Sequence, residues 1–488
     1  LGNFIGIDIG TSSVKAIMVD AAGALMAQAS LPLTTSNPKP LWSEQDPSDW
    51  WRAVEQTIGQ LRQSSPHAWA DVAAIGLSGQ MHGAVLVDAE DRLIRPAILW
   101  NDGRARAEAK ALNEAVPDLG DIAGVPAMVG FTAPKLLWLK RHEPENFARI
   151  ARIFLPKDYI RWCLTGGHAT DMTDASGTLW LDVAERRWSP RVIAATGIRA
   201  EQLPALKEAT DIAGTLAVPL ARSWGLSANV VVAIGTGDTA AAAIGLGAIA
   251  DGDGFISLGT SAQYFVAADR HRPHPETHVH AFAHALPGRW FQTAAILNGA
   301  GLLGWVARLL DAPIETLLAE AEANYTGPSP LTALPYLAGE RTPHNDPDAK
   351  AVIYGLTPGA TRADIVQAAL EAVAFALADG QDALAKAETF ASHLAVTGGG
   401  ARSLFWMRLL ANVLDRPLMV HGGGAFGPAL GAARLARLAL TRETPESVCL
   451  KPAGGIEIVS DPSLVSAYAE KREAFRRLYK ALRNVFST

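Results

Sequence analysis

Three turn-like segments of this 488-residue sequence combine small residues, hydroxyls and charge in a way that could hold phosphate, and a fourth sets a carboxylate beside them. The first is FIGIDIGTSSVKAIMVD, Phe4 to Asp20. Between two apolar runs it places Asp8, Gly10, Thr11, Ser12, Ser13 and Lys15, so backbone N–H groups and hydroxyls can approach a polyphosphate without bulk. Asp8 would then be a partner for Mg2+, directly or through water; the plainer alternative is a polar hairpin tip. The second segment, GFISLGTSAQYFV from Gly254 to Val266, repeats Gly-Thr-Ser at Gly259, Thr260 and Ser261, which reads as a duplicated hairpin. The third is Gly398-Gly399-Gly400-Ala401-Arg402-Ser403, where the glycines suit a flat ring lying on backbone and Arg402 suits a phosphate. A turn needing positive φ is the alternative there.

The fourth segment, Gly235-Thr236-Gly237-Asp238-Thr239-Ala240, formally satisfies a G-x-G-x-x-A dinucleotide pattern. A carboxylate inside that turn would repel the pyrophosphate, and Gly245 and Gly247 weaken the helix that should bind it. Asp238 reads better as a proton acceptor beside a phosphate cleft, and is equally compatible with an N-cap for a helix over Thr239 to Ile244. Gln80, Met81 and His82 follow the apolar run Val72 to Leu77, the position from which α/β proteins line ligand crevices. Trp100, Asn101, Asp102 and Arg104 could line a polyol site, with packing an equal alternative.

The elements that must position these residues alternate in type. Phe4 to Ile9, Val14 to Val19, Ala24 to Leu31 and Val72 to Leu77 read as strands. Asp46 and Pro47 open a helix whose Trp50, Val54, Ile58 and Leu61 recur at helical spacing. In the second half, Thr361 and Asp364 form a capping pair before a buried helix through Val366, Leu370, Val373 and Leu377. Leu394 to Thr397 is a strand. Gly422 to Gly427 precede a helix whose Ala429, Gly431, Ala432 and Ala433 permit close packing, and Ser463 to Leu482 forms a charged terminal helix. The order predicts an α/β fold in two similar halves, residues 1–249 and 250–488.

Composition narrows the function. The chain is 49% apolar, with 43 Lys and Arg against 49 Asp and Glu and no long block of one sign, which points to small-molecule partners and away from nucleic acid or a membrane surface. Two cysteines, Cys163 and Cys449, make no disulfide framework, and the N-terminal residues lack a secretory pattern, so a cytoplasmic location is expected. Val230 to Ala250 carries Thr236, Asp238 and Thr239 in its middle and is not a membrane span. The histidines from His271 to His284 lack metal-ligand spacing; His278 and His280 alternate as on one strand face.

With these pieces placed, the chain resembles the FGGY carbohydrate kinases, of the actin, hexokinase and heat-shock chaperone superfamily, from end to end. GFTAPKLLWLKRH (Gly130 to His142) and AVIYGLTPGATRADIVQAALE (Ala351 to Glu371) resemble the two family signatures. PLWSEQDP (Pro40 to Pro47), GLSGQMHGAVL (Gly76 to Leu86), AILWNDGR (Ala97 to Arg104), LPKDY (Leu155 to Tyr159) and LAGERTPHNDP (Leu337 to Pro347) resemble members that act on D-xylulose. The resemblance implies two ribonuclease-H-like domains flanking a deep cleft and transfer of phosphate from ATP, with Mg2+, to a sugar. It further implies Asp238 as base, Asp8 beside the magnesium phosphates, Met81 and His82 on the sugar, and a homodimer. Asp8 to Lys15 and Ser257 to Ser261 match the two phosphate loops, and Thr397 to Ser403 the adenosine loop. One departure is Thr239, where the family has Asn after the base. Ribulose, gluconate, glycerol or deoxyxylulose are alternative acceptors, and a non-transferring actin-like ATPase is the rival class.

Overall fold

The computed structural model describes residues 2–421 and 427–486 and arranges them around two mixed sheets. In the first, Val72–Gly79 is central. It pairs in parallel with Asn3–Ile9 on one side and with Val231–Ala233 and Thr236–Gly237 on the other. Asn3–Ile9 continues antiparallel into Ser13–Val19 and then Leu25–Pro32, while Ile212–Thr215 closes the far edge. The second sheet repeats the plan: Asp253–Leu258 pairs antiparallel with Ala262–Ala268 and parallel with His393–Thr397. It runs outward to Trp290–Ile296 and His280–Ala283 on one side, and to Leu418–Val420 and Ile456–Ile458 on the other.

The helices form where caps and periodicity predict them. Pro47–Ser64 starts with the Asp46 side chain accepting the Ser48 N–H at 2.8 Å, and buries Trp50, Val54, Ile58 and Leu61. Arg362–Lys386 opens with a capping box between Thr361 and Asp364, and its apolar circumference is enclosed by the second sheet and by neighbouring helices. The terminal helix spans Pro462–Phe486. Among the described residues no helix is long and apolar enough to cross a membrane.

One helix departs from the order of the chain. Pro428–Thr441 belongs to the second half by sequence, yet it lies on the strands Asn3–Ile9 and Val72–Gly79 of the first sheet and crosses the helix Asp238–Leu246. Small residues make this approach feasible. A Cβ on Gly6 would stand 1.9 Å from the Ala429 carbonyl oxygen, on Gly76 1.9 Å from that of Ala432, and on Gly431 1.8 Å from that of Ala241. A helix of the second half thus packs backbone-to-backbone on the first sheet and on the helix Asp238–Leu246. Most of the Gly422 to Gly427 stretch that leads into this helix, residues 422–426, lies outside the described residues.

Candidate active site

Parallel pairing on both sides of Val72–Gly79 brings three strand ends to one edge, the usual place for a ligand crevice. Asp8 and Thr236 are both in register with Ser78. The Ser78 hydroxyl donates to Asp8 Oδ1 at 3.0 Å. Asp238 follows Thr236–Gly237 directly. It is the first residue of its helix, with Gly237 at the cap, so the N-cap role compatible with the sequence is not what the carboxylate does. Its Oδ1 instead accepts the Thr239 N–H at 2.7 Å, with the Thr239 hydroxyl at 3.3 Å. Burial raises Asp238 to about 6 against those hydrogen bonds, above the ordinary carboxylate value but still ionised at neutral pH. Asp8 rises to about 7 through burial and then the nearby Asp238 charge, opposed by the Ser78 hydrogen bond and Lys15.

Two cavities meet at Asp238. A compact one of about 130 Å³ is lined by Thr11, Met81, His82, Trp100, His280 and Arg341, among others. A larger one of about 660 Å³ runs past Gly259, Thr397, Gly398, Gly399, Ala401 and Arg402. Asp238, Thr239, Ser261 and Gln263 line both. Thr239 Oγ1 lies 3.1 Å from Gln263 Oε1, so the residue after Asp238 reaches across to the second lobe.

The wall of the smaller cavity is held from behind. His82 has a left-handed backbone, φ 67°, and its carbonyl accepts from Lys135 Nζ at 2.7 Å and Thr132 Oγ1 at 3.1 Å. Burial holds the His82 ring well below its ordinary pKa, hence neutral. Nδ1 lies 2.8 Å from the Gly177 carbonyl, so it must carry the proton, which leaves Nε2 as an acceptor. Behind Asp238, the Thr236 hydroxyl donates to Asp171 Oδ2 at 2.7 Å, and Asp171 belongs to a buried cluster in which Lys157 Nζ also meets Asp158 and Asp174.

Residues 3–245 match the N-terminal domain of the FGGY family of carbohydrate kinases, and residues 254–440 its C-terminal domain. This chain belongs to the FGGY carbohydrate kinases. It is 45% identical to a xylulose kinase of Escherichia coli K12 over 98% of this chain and 99% of that protein. A crystal structure of a xyloylose kinase from Brucella ovis superposes with a TM-score of 0.95 at 44% identity, covering 99% of this chain and all of the other. A ligand-bound xylulose kinase from Lactobacillus acidophilus gives a TM-score of 0.93 at 26% identity, over 100% and 99% of the two chains.

In this FGGY kinase the remaining residues singled out from the sequence fall into distinct places. Gln80 is one step behind the cavity: Thr11 Oγ1 donates to its Oε1 at 3.0 Å, and Trp100 Nε1 donates to Thr11 at 2.9 Å. Thr11, expected on phosphate, therefore lines the smaller cavity. Asn101, Asp102 and Arg104 line neither cavity. Asn101 is exposed, while Arg104 Nη2 meets Asp102 and Glu44, each at 2.7 Å, the guanidinium lies 3.6 Å above the Trp42 ring, and its Nη1 is buried without a hydrogen-bond partner among the described residues. Asp102 also accepts the Ser43 N–H, so this turn is held by its own ion pairs and hydrogen bonds outside both cavities. Ser12 and Thr260 are exposed at their hairpin tips, Gly10 closes its turn through Ser13, and Lys15 stands opposite Asp8 in register. Gly400 is buried under Leu258 and Trp406, where a side chain has no room. His280 begins a strand but His278 precedes it with φ 55°, so the two do not share a strand face.

The sequence reading missed His280, Thr293, Gln263 and Arg341. Arg341 sits in the segment LAGERTPHNDP, but nothing in its spacing announces a cavity. Among the described residues no three His, Cys, Asp or Glu side chains form a metal cage. Asp8 fits Mg2+, directly or through water, since its buried carboxylate beside the Asp238 charge would be favoured by a cation.

Proposed function

We propose that this FGGY kinase transfers the γ-phosphoryl group of ATP to the terminal 5-hydroxyl of D-xylulose, with residues 1–249 presenting the sugar and residues 250–488 the nucleotide. The observation that carries this reading is Asp238, a buried carboxylate common to a sugar-sized cavity and a nucleotide-sized cleft. Full-length likeness to xylulose kinases supports the choice of acceptor. The same family resemblance extends the reading to a cytoplasmic homodimer.

Phosphoryl transfer asks the protein for in-line placement, charge neutralisation and removal of one proton. Met81, His82 and Trp100 hold the ketose in the smaller cavity, with His82 Nε2 accepting a hydroxyl. Gly259, Gly399, Ala401 and Arg402 border the nucleotide. The carboxylate of Asp238 takes the proton of the attacking hydroxyl as the new O–P bond forms and the bond to the β,γ-bridging oxygen breaks, releasing ADP. Mg2+, when bound near Asp8, neutralises phosphate charge. Thr239 holds one oxygen of Asp238 and leaves the other free for the sugar. Enclosure between lobes excludes water, which would otherwise compete as acceptor.

The test is ADP release with MgATP over a panel of ketoses and polyols including D-xylulose, ribulose, gluconate and glycerol. D-Xylulose is expected to give the highest kcat/KM. ATP turnover equal with and without any sugar would refute sugar phosphorylation altogether.

A further inference from the structure

Two polar atoms of the second lobe face the smaller cavity without partners. His280 and Thr293 are directly opposed on neighbouring antiparallel strands and both line that cavity. Both are buried, at 4% exposure each. His280 Nε2 and Thr293 Oγ1 have no hydrogen-bond partner among the described residues. Beside them Arg341, also in the lining, makes no ion pair among the described residues; its Nη2 donates to the Trp100 carbonyl at 3.2 Å. A buried donor or acceptor left unpaired is costly, and a buried guanidinium with few partners is costly too. The two unpaired atoms of His280 and Thr293, beside a guanidinium held by one carbonyl, are best explained by an oxygen-rich ligand that completes them.

We propose that His280, Thr293 and Arg341 form the second lobe's half of the acceptor site, hydrogen-bonding ketose oxygens other than the one phosphorylated. The sugar is then held between His82, Met81 and Trp100 of one lobe and this triplet of the other. The aromatic setting is consistent: Phe131 lies 4.4 Å from the His82 ring and 5.4 Å from the His280 ring, spanning the two halves of the wall. Arg341, by contacting the Trp100 carbonyl, joins the same two walls.

This rests on the sugar-kinase reading, and the experiment separates the two. Thr293→Val is isosteric and keeps a β-branched residue in a strand; His280→Phe keeps a ring. Each is assayed with the wild type's best acceptor from the panel above, alongside thermal melting without ligand. Removing an unpartnered polar atom should leave the melting temperature unchanged or raise it. Losing its bond to the sugar should raise the acceptor KM roughly three- to tenfold per variant, with the KM for MgATP as internal reference. An acceptor KM within twofold of wild type in both variants overturns the proposal, as does a fall in melting temperature that accounts for lost activity with no split between the two KM values. If the wild type prefers a different sugar, the choice of D-xylulose fails while the proposal is judged on that sugar. If it phosphorylates none, both fall.

Discussion

Replacing Asp238 with Asn should produce an enzyme that is more stable and far less active. Burial holds this carboxyl at about 6, whereas its ordinary value is 3.8. A folded-state pKa raised above the unfolded one contributes stability that is fully present below pH 3.8 and is lost as pH rises through 6. At pH 7.5 the ionised group therefore costs the fold up to about 3 kcal/mol. Asn removes that charge, and its carbonyl oxygen can still accept the Thr239 N–H at 2.7 Å and the hydroxyl at 3.3 Å. The melting temperature of ligand-free Asp238→Asn at pH 7.5 should rise by a few degrees, and the difference from wild type should vanish by about pH 4. Turnover should fall roughly 10²- to 10⁴-fold, the scale of a general base. Wild-type kcat/KM should show an acidic limb near pH 6 that the variant lacks. Scanning calorimetry at two pH values and a coupled ADP assay on the same preparations measure all of this. A kcat within a few-fold of wild type, or a melting temperature lowered at pH 7.5, would refute the assignment of Asp238 as a buried, ionised base.

Lys135→Met keeps the buried stem but removes the donor to the His82 carbonyl, so the KM for the sugar should rise about tenfold with that for MgATP little changed, read by steady-state kinetics. Equal effects on both KM values would assign Lys135 to packing alone. Gly431→Ala pushes a Cβ to 1.8 Å from the Ala241 carbonyl oxygen at the helix crossing and should cost about 3 kcal/mol in urea unfolding. Gly59→Ala, in open space on the helix Pro47–Ser64, is the control and should be neutral or stabilising by up to about 1 kcal/mol.

The sequence alone determined what local chemistry can determine. Asp46-Pro47 and Thr361 with Asp364 start their helices because a cap acts within a few residues, and the two Gly-Thr-Ser hairpins are visible because each is one continuous segment. Asp8, His82 and Asp238 were legible as polar residues at the ends of apolar runs. What tertiary structure decided is which of these ends meet. Asp8 and Asp238 are 230 residues apart in the chain and become neighbours because one strand, Val72–Gly79, pairs in parallel on both sides. Arg104, equally polar and four residues after Trp100, is drawn into ion pairs with Glu44 and Asp102, a partnership with Glu44 that no spacing rule contains. His280 and Thr293 face the cavity only through cross-strand register, and the raised pKa of Asp238 exists only through burial. Burial and register are properties of the whole packed chain, so chemistry that depends on them cannot be read from residue types and short spacings.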